Sequence, residues 1–460
     1  MAEGQAQQTE REDEDWGLDS RVVAAILDAV EAGDSIALAS LLEDLHAADI
    51  ADLLEQIGGS ERRALLRLWS GEIDGDTLSE LDEALREEVI EYLPREVLAE
   101  AVRELDSDDV VDLIEDLDRP QQDIILDALE ESDRAAVQQS LTYPEYSAGR
   151  LMQREVVTAP EHWTVGETID FLRAEDWLPD QFYHVILVDP RHRPVAYVTL
   201  GRLLSSARAV KLRDIVEDSF RSVKVTDEEG DVAYAFNQYH LISVPVVDET
   251  ERLVGVITID DAMAVLDEEH EEDILRLAGV GDESLADRVL ETARLRFVWL
   301  FVNLITAILA SVVIAQFADE IDRLVALAVL MPIVASMGGN AGTQSMTVAV
   351  RSIATRDLTV RNAWRVIRRE LAVGAINGLG FGVIMAGVAA VWFGVPMLAA
   401  VIALAMLLTL VAAALGGIVI PILLDRFGVD PALASGPFVT TVTDVVGFFA
   451  FLGLASVVLL

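Results

Sequence analysis

The chain has 460 residues, a hydrophobic fraction of 52%, no cysteine and a formal net charge of -45. These values exclude disulfides and thiolate metal sites, and they disfavour nucleic acid as a partner because an acidic body repels it. They favour hard divalent cations, which prefer oxygen ligands. From Arg296 onward acids and arginines nearly balance, so the negative excess lies before that residue.

The N-terminal part is predicted to be a polar tail followed by helices. Residues 1–20 are acidic and contain no apolar core of a signal peptide, which predicts a disordered cytoplasmic tail. Residues 21–141 then show Leu, Ile, Val and Ala at three- and four-residue spacings in a series of short segments. The pattern predicts an α-helical, solenoid-like acidic N domain.

Residues 147–266 contain an internal repeat. Residues 184–200 align without a gap on residues 243–259, and each copy has an apolar strand, a polar turn and a second strand that leads into a helix. Two tandem α/β copies, residues 147–208 and 209–266, are therefore expected to pack into one module.

A dense run of acidic residues follows, at the start of a helix predicted over residues 267–294. Acids in a first helical turn favour the helix dipole. Like charges four residues apart, such as Glu269 and Asp273, nevertheless destabilise a helix unless something neutralises them. The density of carboxylates favours a bound cation over a merely solvated face.

The remaining residues, 296–460, are predicted to form a membrane domain with five helices. Long apolar stretches cover residues 297–318, 324–350, 371–424 and 431–460, and the third is long enough for two helices that meet near residues 394–396. The connection over residues 351–370 carries six arginines. The positive-inside rule therefore places this loop and the N-terminal half in the cytoplasm, and the C-terminus outside the inner membrane.

One carboxylate, Asp444, lies in the middle of the last apolar stretch, where no other residue is ionisable. A charge at bilayer depth costs from about 3 kcal/mol upward unless it meets water, an ion or a partner. The alternative is a protonated or paired acid with a structural role, but no basic residue of the spans could pair with it. Asp444 is therefore predicted to bind a transported cation.

Small and oxygen-bearing residues surround this carboxylate in two spans. They are Pro332, Gly338, Gly339, Asn340, Gly342, Thr343 and Gln344 in the second span, and Gly436, Pro437, Thr440, Thr441 and Thr443 in the fifth. The cluster predicts irregular backbone that lines a water-filled path. Close helix packing explains the glycines equally well, but not Asn340 and Gln344. Carbonyls and hydroxyls around a single Asp suit a hydrated Mg²⁺ ion.

Four segments resemble the MgtE family of magnesium channels: LTYPE at residues 141–145, SAGRLM at 147–152, PIVASMGGNAGTQS at 332–345 and DPALASGPFVTTVTD at 430–444. The resemblance implies an N domain, a pair of CBS domains at the repeat, a connecting plug helix and five transmembrane helices. It also implies a homodimer with its pore at the subunit interface and Asp444 as the ion-selecting carboxylate.

The resemblance further implies regulatory Mg²⁺ between the CBS domains, the plug helix and the cytoplasmic mouth of the pore. Its ligands would be Asp260, Asp261, Glu269, Glu272, Asp273 and Asp430, with Asp108 and Asp109 of the N domain as weaker candidates. Ala264 stands where relatives often have another acid. CBS pairs often bind ATP through a Thr-x-x-Asp element, which Thr258 and Asp261 fit, whereas Thr199 is followed at that spacing by Arg202.

The predicted function is Mg²⁺ uptake through a channel that cytoplasmic Mg²⁺ closes, and no catalytic constellation points to an enzyme. Two alternatives stay open. One is a secondary transporter for divalent cations such as Co²⁺, and the other is a nucleotide sensor whose spans only anchor the CBS pair in the membrane.

Overall fold

The structure is a computed structural model that describes residues 18–69, 73–115, 117, 119–175, 177–179, 181–280, 289–359 and 361–459, without the side chains of residues 83, 84 and 291. Most of the predicted disordered tail, residues 1–17, lies outside the described residues. The last residue of the predicted tail, Ser20, already belongs to the first helix, and the side chain of Asp19 caps that helix. The chain divides into two compact units, Met1–Glu268 and Glu269–Leu460.

Ten short helices form the first part of the N-terminal unit. They are α1 (Ser20–Ala32), α2 (Ser35–Leu42), α3 (Ala47–Gln56), α4 (Gly59–Leu68), α5 (Gly75–Ser79), α6 (Glu83–Tyr92), α7 (Arg95–Glu104), α8 (Ser107–Glu115), α9 (Arg119–Ala128) and α10 (Glu131–Ser140). Side chains cap several of them: Asp34 accepts from a backbone N–H at the start of α2, and His46 and Asp49 form a capping box at α3. One face of each helix supplies Leu, Ile and Val to a common core.

The repeat forms two three-stranded sheets with the same order. The first contains β1 (Thr158–Pro160), β2 (His184–Val188) and β3 (Pro194–Thr199), and the second contains β4 (Val223–Lys224), β5 (Ser243–Val247) and β6 (Leu253–Thr258). In each sheet the first pair of strands is parallel and the second is antiparallel, with an irregularity one residue before the hairpin turn. The matching register is what the gapless repeat predicts.

Short helices complete this part of the unit. They are α11 (Ala148–Leu151), α12 (Val165–Leu172), α13 (Leu200–Ser205) and α14 (Glu229–Tyr239), with a 3₁₀ turn at Leu212–Asp214. Helix α14 packs through Val232 and Phe236 on the second sheet. The two copies touch at the starts of β2 and β5, where the His184 ring and the Ser243 hydroxyl form a hydrogen bond.

Helix α15 begins earlier than predicted. It spans Ile259–Leu277 as one element that starts directly after β6. Asp261 in the first turn accepts hydrogen bonds from the backbone N–H and the hydroxyl of Thr258, which fixes the start of the helix at this point. The acidic run therefore lies well inside the helix, where the dipole offers it no compensation. Residues 281–288 of the predicted plug helix lie outside the described residues.

The C-terminal unit contains the predicted membrane helices. They are α16 (Val289–Ala315), α18 (Ala326–Ala354), α19 (Ala363–Phe393), α20 (Pro396–Arg426) and α21 (Pro431–Leu459), with a short helix α17 (Ala318–Arg323) after the first. Five helices of the described residues are long and apolar enough to cross a membrane. Gly394, in the left-handed conformation, ends α19, and Pro396 starts α20.

The prediction of irregular backbone in the second span is wrong. Helix α18 runs through Pro332 and the glycine-rich segment as one helix. The physical reason is that lipid leaves no partner for a free backbone N–H or carbonyl, so the helix is retained. Gly338 and Gly342 are buried: a Cβ at Gly338 would meet the Thr409 side chain at 2.7 Å, and one at Gly342 would meet Val439 at the same distance. These glycines serve close helix packing.

Gly417 permits a close approach between α18 and α20. A Cβ there would lie 2.5 Å from the carbonyl oxygen of Gly342 and 2.9 Å from the backbone nitrogen of Met346. Backbone cannot move aside like a side chain, so Gly417→Ala should lower the free energy of unfolding by about 1–3 kcal/mol. Gly387→Ala is the matched control, because nothing lies within 4 Å of a Cβ at that position. Thermal unfolding of the full chain in detergent should show a lower midpoint for Gly417→Ala alone, and equal midpoints would contradict this packing argument.

Candidate ion pathway and carboxylate clusters

Helix α18 presents two different faces at the predicted cluster. Asn340, Thr343 and Gln344 are exposed, and the Asn340 amide lies 3.5 Å from the Ser336 hydroxyl on the same side. Gly338 lies on the buried side, so it does not belong to this exposed polar stripe. Gly339 has open space beside it. Most of the residues predicted to line a pore on α18 are accessible, namely Gly339, Asn340, Thr343 and Gln344. Gly338 is buried.

On α21 the hydroxyl groups are already engaged as donors. Thr440 Oγ1 donates to the carbonyl oxygen of Gly436 at 3.0 Å, and Thr441 Oγ1 donates to that of Pro437 at 2.6 Å. A hydroxyl whose proton is used in this way offers its oxygen lone pairs to a ligand. That polarity suits a cation. Thr440 is exposed, whereas Thr441 is partly buried.

Asp444 lies near the middle of α21 and is half-buried. Within the described part of the chain, no basic side chain or hydrogen-bond donor pairs with its carboxylate. The preceding residue, Thr443, is buried and packs against Gly342 of α18, which sets Asp444 next to the contact between the two helices. An unpaired carboxylate at this depth requires water or a cation from outside the single chain.

A second group of carboxylates lies where α15 approaches the start of α21. Arg276 pairs with Glu272 at 2.8 Å and with Asp430 at 3.5 Å. Asp430 also caps α21, accepting from the backbone N–H of Ala432 at 2.7 Å. Leu277 packs on Ala432 and its apolar neighbours on α18 and α21. The apolar contact of Leu277 and the Arg276 guanidinium, which lies between two carboxylates, thus hold the end of α15 against α21.

Repulsion within this group is visible at Asp273. Burial raises the pKa of Asp273, and the charges of Asp430 and Glu269 raise it further, while Arg276 and His270 lower it. The structure therefore brings Asp273, Asp430 and Glu269 together. Arg276 connects Glu272 to this group, because it pairs with both Glu272 and Asp430. Arg276 is a member that sequence reasoning missed. Its position four residues after Glu272 is the signal that could have suggested it.

A third group lies within the N-terminal unit, at the start of α8. Burial, followed by the charges of Asp261 and Asp109, raises the pKa of Asp108 well above its usual range. Burial and the same Asp261 charge raise the pKa of Asp109 to about 7. The pKa of Asp261 is raised to about 6, mainly by burial and with a contribution from Asp260. Asp106, which raises the pKa of all three, is a fourth member that the sequence analysis missed.

Neither the carboxylate group around Asp273 nor the one at the start of α8 forms a metal site without water ligands. Among the described residues, no three carboxylates or imidazoles are arranged so that together they could hold one metal ion. Mg²⁺ dehydrates reluctantly and is held in proteins by one or two carboxylates through retained waters. Pairs such as Asp273 with Asp430, and Asp109 with Asp261, fit that mode of binding.

The nucleotide element predicted at Thr258 and Asp261 is engaged internally. The Thr258 hydroxyl donates to Asp261 Oδ2 at 2.7 Å. The cavity beside Thr258 measures about 20 Å³, which is far below the several hundred Å³ of an ordinary ligand pocket. In the first copy, Arg202 occupies the corresponding position, and its guanidinium lies 3.3 Å from Glu217. In this structure the Thr258 hydroxyl and the Asp261 carboxylate are therefore hydrogen-bonded to each other.

The raised pKa values at α8 predict a pH dependence of stability. An acid whose pKa is higher in the folded chain holds its proton more tightly there than in the unfolded chain. Protonation of this acid therefore adds to the free energy of unfolding. The added stability is complete below the ordinary pKa near 4 and is lost as the pH rises through about 7. Asp109 contributes on the order of 1 kcal/mol per pH unit between about pH 4 and pH 7. A fragment of residues 1–280 without divalent cations should therefore unfold at lower temperature as pH rises, and Asp109→Asn should flatten the dependence. Parallel pH curves for the two proteins would refute the assignment.

Comparisons with known proteins give this arrangement a family. Residues 331–454 match the family model described as a divalent cation transporter, residues 45–146 match the MgtE intracellular N domain, and residues 148–208 and 212–268 each match a CBS domain. The chain is 32% identical over 450 residues to the magnesium transporter MgtE of Thermus thermophilus, which covers 96% of this chain and 99% of that protein. The chain belongs to the MgtE family.

Further relatives extend the match. The magnesium transporter MgtE of Bacillus subtilis is 28% identical over 418 residues, or 91% of this chain and 93% of that protein. A solved structure, the cytosolic domain of the Mg²⁺ channel MgtE in complex with ATP, is 29% identical and covers 53% of this chain and 99% of that one, with a TM-score of 0.49. The predicted fold class, a helical N domain with a CBS pair and five transmembrane helices, is confirmed by the family domains and the five long helices.

Proposed function

We propose that this MgtE-family chain is a magnesium channel of the inner membrane that mediates Mg²⁺ uptake. The observation that carries the proposal is Asp444, a carboxylate at membrane depth with no partner in the described part of its own chain. Its charge attracts a divalent ion, while the threonine oxygens of α21 and the amides of α18 offer polar contacts to the water around that ion. The names of the relatives as magnesium transporters support Mg²⁺ as the substrate.

The position of the polar stripe supports a homodimer. Asn340, Thr343 and Gln344 are exposed on a helix that crosses the membrane, and amide groups are costly to expose to lipid. A second copy packed on this face would bury them and bring two Asp444 carboxylates to one axis. Symmetric pairing of this kind is the commonest form of oligomer. The pore then lies between the two subunits.

Uninterrupted helices favour a channel over an alternating-access carrier. Secondary transporters commonly bind their substrate at helices that are broken near the middle of the membrane. Here α18 and α21 continue through Pro332 and Pro437 without a break. A secondary transporter for Co²⁺ or another divalent cation stays the alternative, and the current through one molecule separates the two.

Cytoplasmic Mg²⁺ acts as the regulator in this proposal. The N-terminal half lies in the cytoplasm, and α15 carries Glu269, Glu272 and Asp273 to the Asp430 end of α21. At high Mg²⁺ the ion bridges these carboxylates and holds the pore shut. At low Mg²⁺ the charges of Arg276 and His270 oppose their repulsion less fully than a bound divalent ion does, and the closed state loses its advantage.

The α8 cluster is the second regulatory position. Asp108 and Asp109 repel Asp261 within a buried contact, and Mg²⁺ would replace the protons that otherwise relieve this repulsion. Each bound ion need favour the closed state by only about 1–3 kcal/mol for several ions to give a steep switch.

Ion flux into liposomes tests the transported ion. The purified full chain should admit Mg²⁺ into liposomes that contain a fluorescent Mg²⁺ indicator, and external Co²⁺ or Ca²⁺ in equal amount should compete weakly. Empty liposomes are the control for leak. Absence of Mg²⁺ flux together with Co²⁺ entry would favour the alternative function.

A further inference from the structure

The cytoplasmic end of α19 carries a basic stripe that the ion pathway does not use. Arg365 and Arg368 are exposed and three residues apart at the start of α19, so they lie on one side of the helix, and the exposed Arg361 lies just before its first residue, Ala363. Trp364, which is 70% exposed, lies beside them. No carboxylate of the described residues forms an ion pair with any of the three arginines. The nearby Glu370 is engaged elsewhere, because it accepts from the Ser345 hydroxyl of α18 at 3.0 Å.

The same side of the helix continues as an apolar surface. Ile376, Leu379 and Val383 extend the spacing of the arginines and are 69%, 58% and 72% exposed. The opposite side is a buried row of glycines, in which a Cβ at Gly374 or Gly378 would strike the α20 backbone at 2.8–3.3 Å. Helix α19 thus uses one side for α20 and leaves the other, with its arginines, facing outward.

The length of α19 sets the depth of the arginines. The helix has 31 residues, so it is about 46 Å long at 1.5 Å per residue, whereas the hydrocarbon core of a bilayer is about 30 Å thick. The first turns of the helix therefore stand at the level of the lipid headgroups when Ile376 and the residues after it face the acyl chains. Arginine and tryptophan are the residues that anchor helices at this level.

We infer that Arg361, Arg365, Arg368 and Trp364 form a binding surface for the headgroups of anionic phospholipids in the cytoplasmic leaflet. The guanidinium groups bind the phosphate through paired hydrogen bonds, and the N-terminus of α19 adds the positive end of its dipole. The occupant is a lipid because the surface is continuous with the acyl-facing side of the same helix. The arginine surface supplies an attraction to the anionic leaflet. The acidic N-terminal half does not supply one, because an anionic membrane repels it.

Quenching of tryptophan fluorescence by bromine on lipid acyl chains measures this contact in the full chain, because Trp364 is the one tryptophan of residues 269–460 that is left once Trp299 and Trp392 are replaced. In a Trp299→Phe/Trp392→Phe background, the protein is placed in phosphatidylcholine vesicles in which either phosphatidylglycerol or phosphatidylcholine is brominated on its acyl chains. Brominated phosphatidylglycerol should associate more tightly than brominated phosphatidylcholine. The preference should fall about fivefold for each arginine removed in Arg365→Gln/Arg368→Gln, which corresponds to about 1 kcal/mol per charge.

Arg351→Gln/Arg426→Gln is the matched control, because both residues are exposed arginines at ends of α18 and α20 and lie off the stripe. It should keep the preference of the parent, and millimolar inorganic phosphate should not remove that preference. Size-exclusion profiles show whether each variant is assembled. Equal quenching by the two lipids, equal losses in the two double variants, or absence of quenching because a second copy covers Trp364 would each overturn the inference.

Discussion

Asp444→Asn is expected to reduce Mg²⁺ uptake by well over tenfold while the protein stays folded and assembled. The amide keeps the shape of the side chain and removes its charge. A hydrated divalent ion about 5 Å from a carboxylate gains roughly 7 kcal/mol at an effective dielectric constant of about 20, which exceeds the 1.4 kcal/mol of a tenfold change several times over. Uptake into liposomes with an internal Mg²⁺ indicator measures the effect.

Asp425→Asn is the control for this variant. Asp425 is an exposed carboxylate in the last turn of α20, so its loss makes the same chemical change away from the polar stripe. The control should take up Mg²⁺ as the parent does. Parental uptake by Asp444→Asn, with the same amount of assembled protein, would remove Asp444 from the role of ion-binding residue.

Neutralisation of the carboxylates on α15 is expected to leave the channel active at internal Mg²⁺ concentrations that silence the parent. Glu269→Gln/Glu272→Gln/Asp273→Asn removes the groups that we propose, with Asp430, as ligands of the regulatory ion. If each ion favours the closed state by about 1–3 kcal/mol, loss of one site should raise the inhibitory concentration at least about fivefold. Flux measured against a series of internal Mg²⁺ concentrations gives this shift.

A second triple variant separates the site from the general charge of the helix. Asp267→Asn/Glu268→Gln/Glu271→Gln removes three carboxylates from the same acidic run, on side chains that are all exposed. Its inhibition by internal Mg²⁺ should stay close to that of the parent. Equal shifts in both triple variants would mean that screening of the acidic surface, rather than a bound ion, controls the pore.

Local patterns in the sequence were sufficient to predict most of the fold. Apolar spacing predicted the helices, and the alignment of residues 184–200 with 243–259 predicted two sheets that share order and register. The length of the apolar stretches predicted five membrane helices. Asp444 was recognisable because a single charge in an apolar segment needs no knowledge of its neighbours.

Features that depend on distant contacts were not predictable in this way. Glycines and a proline favoured a break in α18, but contact with Thr409 and Val439 on other helices, and the absence of water in lipid, keep it regular. Arg276 and Asp430 are far apart in the sequence, and so are Asp109 and Asp261. Folding is what brings these charges together. The resemblance to known proteins supplied the carboxylates, whereas the pair of Arg276 with Asp430 is visible only in the structure.

Single-channel recording tests the central claim most directly. The full chain is placed in a planar bilayer with Mg²⁺ as the permeant cation, and Mg²⁺ is varied on the side of the N-terminal half. We expect discrete current steps at low Mg²⁺ that disappear as Mg²⁺ on that side rises into the millimolar range, and none in Asp444→Asn. Mg²⁺ flux without discrete steps, or steps that persist at high Mg²⁺, would contradict a channel that its own substrate closes.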